Sequence, residues 1–379
     1  MVRGNLATEE ATKTALIMPF FSLLGYDVFN PMEFIPEFVA DVGTKKGEKV
    51  DYAIMNEGKP VILIEAKCVD DDLTKHDAQL FRYFTVTDAK FAILTNGIVY
   101  KFFTDLEEPN KMDEKPFLLF LSHIEPHHQN DRKTYEGPDG SKEKFKDYPI
   151  PKDLNDIDGD YNIHYADYLG CCNSLNVNLG RIRAKLKELK IEDNTVIIYT
   201  SDHGCHFKTR NKDLPSGGLD DYKRSFYENT IRVPLIIYGP GFKGGKIINE
   251  LASLIDIPKT IVELVKGEAP EFMRGESLLK LTNEGLERDE VFIQISESYV
   301  GRALRTKSYK YCIIDESKHP YDDINSNIYK ECYLYDLTKD PLEKVNLIND
   351  KNYNNIKVIL RAKMKKYLKD IENLNVTII

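Results

Sequence analysis

The chain has 379 residues, of which 42% are hydrophobic and 30% are charged, and its formal net charge is −9. This composition is typical of a globular protein and excludes a disordered one, and the length suits two domains. No apolar run reaches the roughly 18 residues that a membrane span needs, and residues 1–14 lack the apolar core of a signal peptide, so we expect a cytoplasmic protein with no membrane partner. Neither residues 1–116 nor the remainder has an excess of basic residues, which counts against tight DNA binding by the first part alone.

The first 116 residues predict an α+β module. Thr8 can cap a helix whose first turn is acidic, and Gly25 lies where a glycine commonly ends a helix. Apolar stretches flank Asn96-Gly97, which is the strongest short signal of a β-hairpin. The predicted elements are a helix at 11–24, strands at 49–55 and 60–67, a helix at 74–84, and strands at 91–94 and 98–103.

Three charged residues lie near the ends of the two predicted central strands. Residues two apart on a strand point to the same face, so Glu65 and Lys67 project together, and the hairpin can bring Asp51 beside them. Two carboxylates can bind Mg²⁺, and the metal and a lysine can then polarise a water and offset charge on a phosphodiester. We therefore predict that Asp51 and Glu65 bind the metal and that Lys67, with a pKa lowered by the metal, orients or deprotonates the water. The spacing alone is also compatible with a solvated strand end.

The sequence around these residues resembles a nuclease family. Gln79 and Tyr83 are four apart on the next predicted helix and share a face. The resemblance is to the N-terminal domain of type I restriction enzyme R subunits, of the PD-(D/E)xK nuclease fold, and covers residues 5 to about 115. It implies a restriction-endonuclease-like fold, DNA as a partner, and Gln79 and Tyr83 as catalytic residues beside Asp51, Glu65 and Lys67. Glu10 lies where the family's first helix often places a further acid, and a charge at a helix N-terminus explains it at least as well. The matching segments are Val50-Asp51-Tyr52, Ile62 to Lys67, Gln79 to Tyr83 and Leu94 to Gly97.

The second part of the chain predicts an α/β layered domain. Apolar runs at 195–200 and 233–238 predict strands that are buried on both faces of a parallel sheet. Asp256 can cap a helix over 257–265. Five residues recur with the spacing of the apolar face of another helix: Leu175, Leu179, Ile182, Leu186 and Leu189. Later strands are predicted at 291–296, 302–314 and 332–337.

Polar residues follow the first of these strands. Asp202 and His203 lie at its carboxyl end, where ligands bind in open α/β sheets. Asp202 offers hard oxygen atoms to Ca²⁺ or Mg²⁺, and His203 can bind the metal or a sulfate oxygen. Lys223 suits an anionic ester. Taken singly, such residues more often form a turn or a solvated surface.

Together with longer motifs, these residues resemble the sulfatase family of the alkaline-phosphatase-like superfamily. The resemblance covers about residues 116–375. It implies Asp202 and His203 at a Ca²⁺ site, and His127 and Lys223 against a sulfate ester; His128 is an alternative to His127. The motifs are Phe117 to Leu121 with Pro126-His127, Thr200 to Gly204, Ser253 to Ile261, Gly275 to Leu278, Arg305 to Tyr311, and Leu334 to Leu337 with Asp340-Pro341.

The sulfatase nucleophile is missing from the sequence. Sulfatases carry C-x-P-S-R or S-x-P-S-R, whereas Pro215-Ser216, the only Pro-Ser here, has Asp213 and Gly217 at the Cys and Arg positions. The family's paired N-terminal aspartates are also absent, and Ca²⁺ takes roughly 6–8 oxygen ligands. We therefore expect an incomplete metal site and no sulfate ester hydrolysis. We also expect the strands predicted at 195–200 and 233–238 to expose apolar surface that the missing N-terminal half would cover.

The chain thus resembles a PD-(D/E)xK nuclease-like domain at 1–116 followed by a sulfatase-like domain at 117–379 that lacks its N-terminal half. The sequence has no G-x-x-x-x-G-K-[ST] motif, which excludes an ATP-driven DNA translocase. The join is compatible with a gene fusion, a recombination product or an assembly artefact, and we favour the last two because neither family extends the function of the other. Three functions are open: a Mg²⁺-dependent nuclease, a sulfatase-related protein that needs a partner chain, and a non-catalytic protein with vestigial motifs.

Overall fold

The chain folds into two compact units, Met1–Thr134 and Tyr135–Ile379. The computed structural model describes residues 6–40, 47–75, 77–105, 108–114, 117–127, 134–155, 157–210, 222–242 and 244–379. Within these ranges no helix is both long and apolar enough to cross a membrane. His128 and the segment around Pro215-Ser216 lie outside the described residues.

The first unit is built on a six-stranded sheet in the order β1-β2-β3-β4-β5-β6. Neighbouring strands pair antiparallel except β3 and β4, which are parallel and are connected through helix α3. The antiparallel strand pairs, together with the single helical crossover between β3 and β4, confirm the predicted α+β module. The elements are α1 (Glu9–Thr12), a π-helical turn (Lys13–Ile17), α2 (Met18–Leu23), β1 (Phe34–Val39), β2 (Lys49–Asn56), β3 (Lys59–Ala66), a 3-10 turn (Leu73–Lys75), α3 (Asp77–Thr85), β4 (Phe91–Thr95), β5 (Val99–Phe103) and β6 (Leu118–Leu121).

Apolar side chains cover both faces of this sheet. Ala53 and Leu63 pack with Leu80 of α3 in one buried cluster. Ile64, which points to the opposite face from Leu63, packs with Phe21 of the N-terminal helical segment in a second cluster. The sheet is therefore held between two helical layers.

The predicted N-terminal helix is present. Thr8 Oγ1 accepts a hydrogen bond from the N–H of Ala11 at 3.1 Å, so Thr8 caps α1 as expected. The helix continues through the π-helical turn into α2, and Gly25 follows it with a φ of +94°. The cap fixes the start of the helical turn that carries Glu9 and Glu10.

The predicted Asn96-Gly97 hairpin joins β4 and β5. Asn96 Oδ1 accepts hydrogen bonds from the N–H groups of Ile98 and Val99, at 3.2 and 2.9 Å. Gly97 has a φ of +80°, and a Cβ there would lie 2.8 Å from Leu16 Cβ. Both the backbone conformation and the close helix packing therefore require glycine at this position.

Gly97→Ala is expected to destabilise the first unit by about 1–3 kcal/mol, because left-handed strain adds to the clash with Leu16. Gly58→Ala is the matched control, since Gly58 has a φ of +77° and no atom within 4 Å of its Cβ position. Urea unfolding followed by circular dichroism compares the two variants. Equal losses of stability would show that the contact with Leu16 contributes nothing.

Strand β6 lies in the first unit. Its residues pair antiparallel with β5, with Leu121 opposite Val99. The first sulfatase-like motif, which begins at residue 117, therefore contributes to the sheet of the nuclease-like unit. The compact units divide after Thr134, whereas the predicted domain boundary lies between residues 116 and 117. The boundary at 117 stays a prediction, because strand pairing shows which residues are in contact and does not show from which family each segment derives.

The second unit contains a five-stranded sheet in the order β13-β12-β11-β10-β9. Its strands pair antiparallel except β12 and β13, which are parallel. Helix α8 packs on the sheet through Leu360, Met364 and Leu368, which lie in one buried cluster with Leu334. The strands are β9 (Glu290–Ile295), β10 (Val300–Thr306), β11 (Tyr309–Asp315), β12 (Ile328–Asp336) and β13 (Thr377–Ile378).

The helices of the second unit include the predicted long one. Helix α5 carries Leu175, Leu179, Ile182 and Leu186 half-buried along one stripe, whereas Leu189 follows its end and is 53% exposed. The helices are α4 (Ser141–Phe145), α5 (Tyr161–Glu188), α6 (Glu228–Ile231), α7 (Asp256–Lys266) and α8 (Asn354–Glu372), with short turns at Glu192–Asn194, Lys280–Glu284 and Lys351–Tyr353.

The two strands predicted to lie in a parallel sheet pair antiparallel instead. Strands β7 (Ile197–Thr200) and β8 (Leu235–Tyr238) form a two-stranded sheet, with Ile197 opposite Tyr238. A parallel crossover ordinarily uses a long helix, and the described part of the connection holds only the one-turn α6. The prediction of parallel strands buried on both faces is wrong. Ile236 is 61% exposed, so this sheet does expose apolar surface as expected, while the cover of that surface by a missing half stays a prediction.

The sequence predicts that Asp256 caps helix α7. In the structure Asp256 is instead the first residue of that helix. Its side chain is fully buried and accepts hydrogen bonds from the N–H groups of Ser253 and Glu276, at 2.6 and 2.8 Å. Arg288 pairs with the same carboxylate at 2.5 Å. The capping prediction is wrong because Ser253, just before the helix, and two partners from other segments take up the carboxylate in place of the first turn of the helix.

Candidate functional site

The sheet brings Asp51 and Glu65 together. Tyr52 pairs with Ile64, and the same register continued by one residue places Asp51 opposite Glu65. Asp51 Oδ2 accepts a hydrogen bond from the N–H of Ala66 at 2.7 Å, which holds the carboxylate against the end of β3. The two carboxylates therefore lie on neighbouring strands, as we expected from the predicted hairpin.

Glu65 is enclosed, with 2% of its surface exposed. Its Oε1 pairs with Lys67 Nζ at 2.6 Å, and its buried Oε2 has no hydrogen-bond partner among the described residues. Burial, and then the negative charge of Asp51, raise the pKa of Glu65 to about 7. A buried carboxylate oxygen without a partner is costly, so this oxygen favours a cation or a proton donor beside it.

Lys67 lies beside Glu65, as the two-residue spacing predicted. Its Nζ is also 3.8 Å from Glu9 Oε2. Burial acts to lower the pKa of Lys67, but the hydrogen bond to Glu65 and the negative charges of Glu65, Glu9 and Asp51 together outweigh burial and leave that pKa raised. Lys67 is therefore an ammonium in this arrangement, and the lowering of its pKa by a metal ion stays a prediction.

A second lysine, Lys13, lies in the site and was missed by the sequence analysis. Its Nζ is 2.6 Å from Asp51 Oδ1, 2.8 Å from Glu9 Oε1 and 3.0 Å from Glu10 Oε1. Burial acts to lower the pKa of Lys13, but the hydrogen bonds that its ammonium donates to these carboxylates raise that pKa well above its ordinary value. Its helical spacing from Glu9 and Glu10 is visible in the sequence, whereas its contact with Asp51 is not.

Gln79 and Tyr83 are in contact on α3. Gln79 Nε2 donates a hydrogen bond to the Tyr83 hydroxyl at 2.7 Å, as their spacing predicted. Burial raises the pKa of Tyr83, the hydrogen bond from Gln79 opposes this, and the negative charges of Glu48 and Glu65 add to it. The pair therefore lies within the electrostatic field of Glu65, and its catalytic role stays a prediction.

The donors at this site suit a hydrated Mg²⁺ ion. Mg²⁺ commonly binds one or two carboxylates and keeps several waters. Asp51 and Glu65 supply two carboxylates, and Glu65 Oε2 lacks a hydrogen-bond partner in the described part of the chain. No group of three or more His, Cys, Asp or Glu is placed to hold a metal ion within the described ranges. The residues therefore fit a largely hydrated ion and do not fit one that is ligated mainly by protein.

Asp202 and His203 follow strand β7, where the sequence placed them. Asp202 Oδ1 accepts a hydrogen bond from the N–H of His203 at 3.0 Å, and the Asp202 side chain is 85% exposed. His203 Nδ1 lies 2.8 Å from the carbonyl oxygen of Gly204. A Cβ on Gly204 would lie 2.2 Å from the carbonyl oxygen of Asn229, so the turn is closely packed.

This turn does not fit Ca²⁺. Ca²⁺ takes roughly 6–8 oxygen ligands, and Asp202 supplies one exposed carboxylate that already accepts a backbone hydrogen bond. Among the residues with described positions, no further Asp or Glu joins Asp202 and His203 in a metal-binding group. No chemical step is therefore assigned to a metal at this turn.

The two residues assigned to a sulfate ester belong to different compact units. His127 lies in the first unit, where its N–H donates a hydrogen bond to the carbonyl oxygen of Ile124 at 2.9 Å. Lys223 lies half-buried in the second unit, before α6. Their role against a sulfate ester stays a prediction, as does the role of Asp202 and His203 at a metal.

Three family profiles match the chain. The family Sulfatase matches residues 89–267, and the family N-sulphoglucosamine sulphohydrolase, C-terminal, matches residues 218–370. The family Type I restriction enzyme R protein N terminus matches residues 33–111. The sulfatase match and the restriction match overlap at 89–111, so strands β4 and β5 resemble both families.

Similar curated proteins are sulfatases. Arylsulfatase K of Canis lupus familiaris is 29% identical over 194 residues, which cover 48% of this chain and 33% of that protein. An arylsulfatase of Clostridium perfringens is 28% identical over 268 residues, which cover 63% of this chain and 50% of that protein. The chain therefore spans between one third and one half of the length of these relatives.

A solved structure shares the fold of part of the chain. A Bacteroides fragilis protein described as a sulfatase superposes with a TM-score of 0.51 at 24% identity, covering 62% of this chain and 50% of that one. At this identity the likeness concerns the fold alone, and it confirms the sulfatase-like α/β class. The family profiles confirm both resemblances that the motifs indicated. The chain thus matches the type I restriction enzyme R protein N-terminal family over one segment and sulfatase families over a longer one.

Proposed function

We propose that the first unit is a Mg²⁺-dependent nuclease that hydrolyses DNA phosphodiesters. The observation that carries this proposal is Glu65: it is buried opposite Asp51, paired with Lys67 at 2.6 Å, and has one carboxylate oxygen without a hydrogen-bond partner among the described residues. Burial of such a group is costly and is commonly retained at functional sites. The profile match at residues 33–111 supports the same function.

Each residue of this site has a distinct role in the proposal. Asp51 and Glu65 would hold the ion, and Mg²⁺ supplies an activated water and offsets the charge on the phosphate. Lys67 Nζ would orient the attacking water as an ammonium, and would take its proton where a bound metal ion lowers the pKa of Lys67. Gln79 and Tyr83, joined by a hydrogen bond of 2.7 Å, would support the α3 face beside Glu65.

The charge of the chain sets the conditions for activity. A formal net charge of −9 opposes binding to a polyanion, and added salt screens the few local attractions that remain. We therefore expect weak DNA binding that is lost as salt concentration rises. Cleavage should be sought at low ionic strength.

Lys67→Ala is expected to lower Mg²⁺-dependent nicking of supercoiled plasmid by about 100-fold or more, because proton transfer and water orientation would be lost. Lys59→Ala is the matched control. Lys59 lies on the same strand as Glu65 but at the opposite end of the strand. Its Nζ is 3.8 Å from Asp88 Oδ2, and both side chains are exposed. The nicking rate of Lys59→Ala should equal that of the unmodified chain. Equal rates for Lys67→Ala and the unmodified chain would contradict the proposal.

We further propose that the sulfatase segment does not hydrolyse sulfate esters by itself. The sequence has no C-x-P-S-R or S-x-P-S-R motif, and the turn at Asp202 and His203 does not fit Ca²⁺. Hydrolysis would then require a partner chain that supplies the nucleophile. Turnover of a chromogenic aryl sulfate by the purified chain would contradict this proposal.

A non-catalytic chain with vestigial motifs is the second candidate function. The acidic net charge of −9 favours it over efficient DNA cleavage. In that case neither Mg²⁺ nor DNA should bind measurably, whereas a nuclease should bind both at low salt.

A further inference from the structure

Lys13 is surrounded by carboxylates. An ammonium has three N–H donors, and the Nζ of Lys13 has three carboxylate oxygens at hydrogen-bond distance: Asp51 Oδ1 at 2.6 Å, Glu9 Oε1 at 2.8 Å and Glu10 Oε1 at 3.0 Å. Its side chain is 10% exposed. The donors are therefore filled within the site, and Lys13 acts as the resident cation between the first helical turn and the sheet.

The contact with Asp51 conflicts with metal binding. Asp51 Oδ2 accepts the Ala66 N–H and Asp51 Oδ1 faces Lys13, so both oxygens of this carboxylate are engaged. A divalent ion bound to Asp51 would have to displace Lys13 from Oδ1 or lie close to its charge. Either outcome weakens metal binding, since like charges a few ångströms apart repel strongly in a partly buried site.

The helix backbone beside Lys13 is anchored, so its side chain is the part that can yield. Thr12 is fully buried and its Oγ1 accepts the N–H of Val69 at 3.0 Å, which ties this turn to the segment after β3. Glu9 and Glu10 lie on the same helical segment as Lys13 and stay within its reach. Lys13 can therefore release Asp51 and keep two carboxylate partners, which makes exchange with a metal ion feasible.

We propose that Lys13 is a positioning residue that competes with the divalent cation for Asp51 and thereby sets the metal affinity of the site. This inference rests on the proposed metal site of the first unit, although it does not require that the site cleaves DNA. In the metal-free chain Lys13 holds Asp51 in place and balances its charge. Metal binding moves the ammonium toward Glu9 and Glu10.

The test is Mn²⁺ binding to the full chain without DNA, measured by electron paramagnetic resonance and calorimetry. Lys13→Met should bind Mn²⁺ about tenfold more tightly or better, because one positive charge beside Asp51 is removed. Lys13→Gln should also bind more tightly, while Lys13→Arg, which keeps the charge, should stay near the unmodified affinity. Lys59→Met removes a lysine from the far end of β3 and should leave the affinity unchanged.

A purely structural role for Lys13 predicts the opposite result, since loosened carboxylates would bind the ion less tightly. Unchanged or weaker binding by both Lys13→Met and Lys13→Gln, with circular dichroism matching the unmodified chain, would overturn the proposal. Absence of Mn²⁺ binding in every variant would overturn it too. If Mn²⁺ binds and tightens as expected but plasmid is not nicked, the proposed nuclease activity fails and the role of Lys13 stands.

Discussion

Glu65→Gln is expected to stabilise the first unit by about 2–3 kcal/mol at about pH 8 in a chelating buffer. Burial raises the pKa of folded Glu65 from 4.5 to about 7. Below the lower pKa, that of the unfolded chain, Glu65 holds its proton in both the folded and the unfolded state. Between the two values the unfolded chain ionises while the folded chain keeps its proton, so stability falls as the pH rises. Above the higher pKa, that of the folded chain, the full loss of folding stability is present, and substitution by glutamine removes this loss.

Urea unfolding at about pH 5 and about pH 8, with hydrogen exchange of β2 and β3 peptides, tests this expectation. The advantage of Glu65→Gln should be large at the higher pH and small at the lower one. Glu37→Gln is the control, because Glu37 is exposed on β1 and its hydrogen bond with Lys49 lowers its pKa. A Glu65→Gln chain that is less stable than the unmodified chain at the higher pH would contradict the burial argument.

This expected result also bears on function. A carboxylate that destabilises the fold when ionised is retained more readily at a site that uses it. If Glu65→Gln gains stability and loses Mn²⁺ binding together, the same buried oxygen accounts for both effects. Addition of Mg²⁺ should then narrow the stability difference at about pH 8, since the ion binds the folded state of the unmodified chain.

Local patterns predicted much of the first unit. The cap at Thr8, the hairpin at Asn96-Gly97 and the joint projection of Glu65 and Lys67 each depend on residues close in sequence. Strand β1 was not predicted, and it contains Pro36, which is unusual in an interior strand. The structure places β1 at the edge of the sheet, where a missing N–H costs little.

Contacts between distant segments were not predictable from spacing. The sequence indicated Asp51, Glu65 and Lys67, but not the approach of Lys13 to Asp51, which depends on how the first helix packs on the sheet. Strands β7 and β8 have the apolar composition that was expected, yet composition does not determine pairing direction. Asp256 lies at the start of α7, but its carboxylate is taken up by Ser253, Glu276 and Arg288 rather than by the first turn of the helix.

Lys310 forms a buried charge cluster in the second unit. It is fully buried on β11, and its Nζ donates a hydrogen bond to the carbonyl oxygen of Phe226 at 2.7 Å. It also pairs with Glu228 Oε1 at 3.0 Å and with Glu343, which is 2% exposed. Burial raises the pKa of Glu343 despite the opposing charge of Lys310. Burial also acts to raise the pKa of Glu228, but the charges of Lys310 and Arg305 outweigh it and leave that pKa lowered.

Lys310→Met should therefore destabilise the second unit by about 3–5 kcal/mol, because it keeps the volume of the side chain but leaves Glu343 without its cation and Glu228 with Arg305 alone. The loss should shrink at acidic pH, where protonation removes those charges. Lys339→Met removes a lysine that pairs with Asp336 at 3.2 Å but is 73% exposed, and it should cost less than about 0.5 kcal/mol. Urea unfolding with hydrogen exchange of β11 peptides measures both.

The double variant Lys310→Met/Glu343→Gln separates charge from packing. If the uncompensated carboxylate causes the loss, removing its charge should restore part of the stability that Lys310→Met alone forfeits. If packing around the lysine stem causes it, the double variant should be no more stable than the single one. A single variant that loses less than about 1 kcal/mol would contradict the cluster's importance and show that Glu343 takes up a proton at little cost.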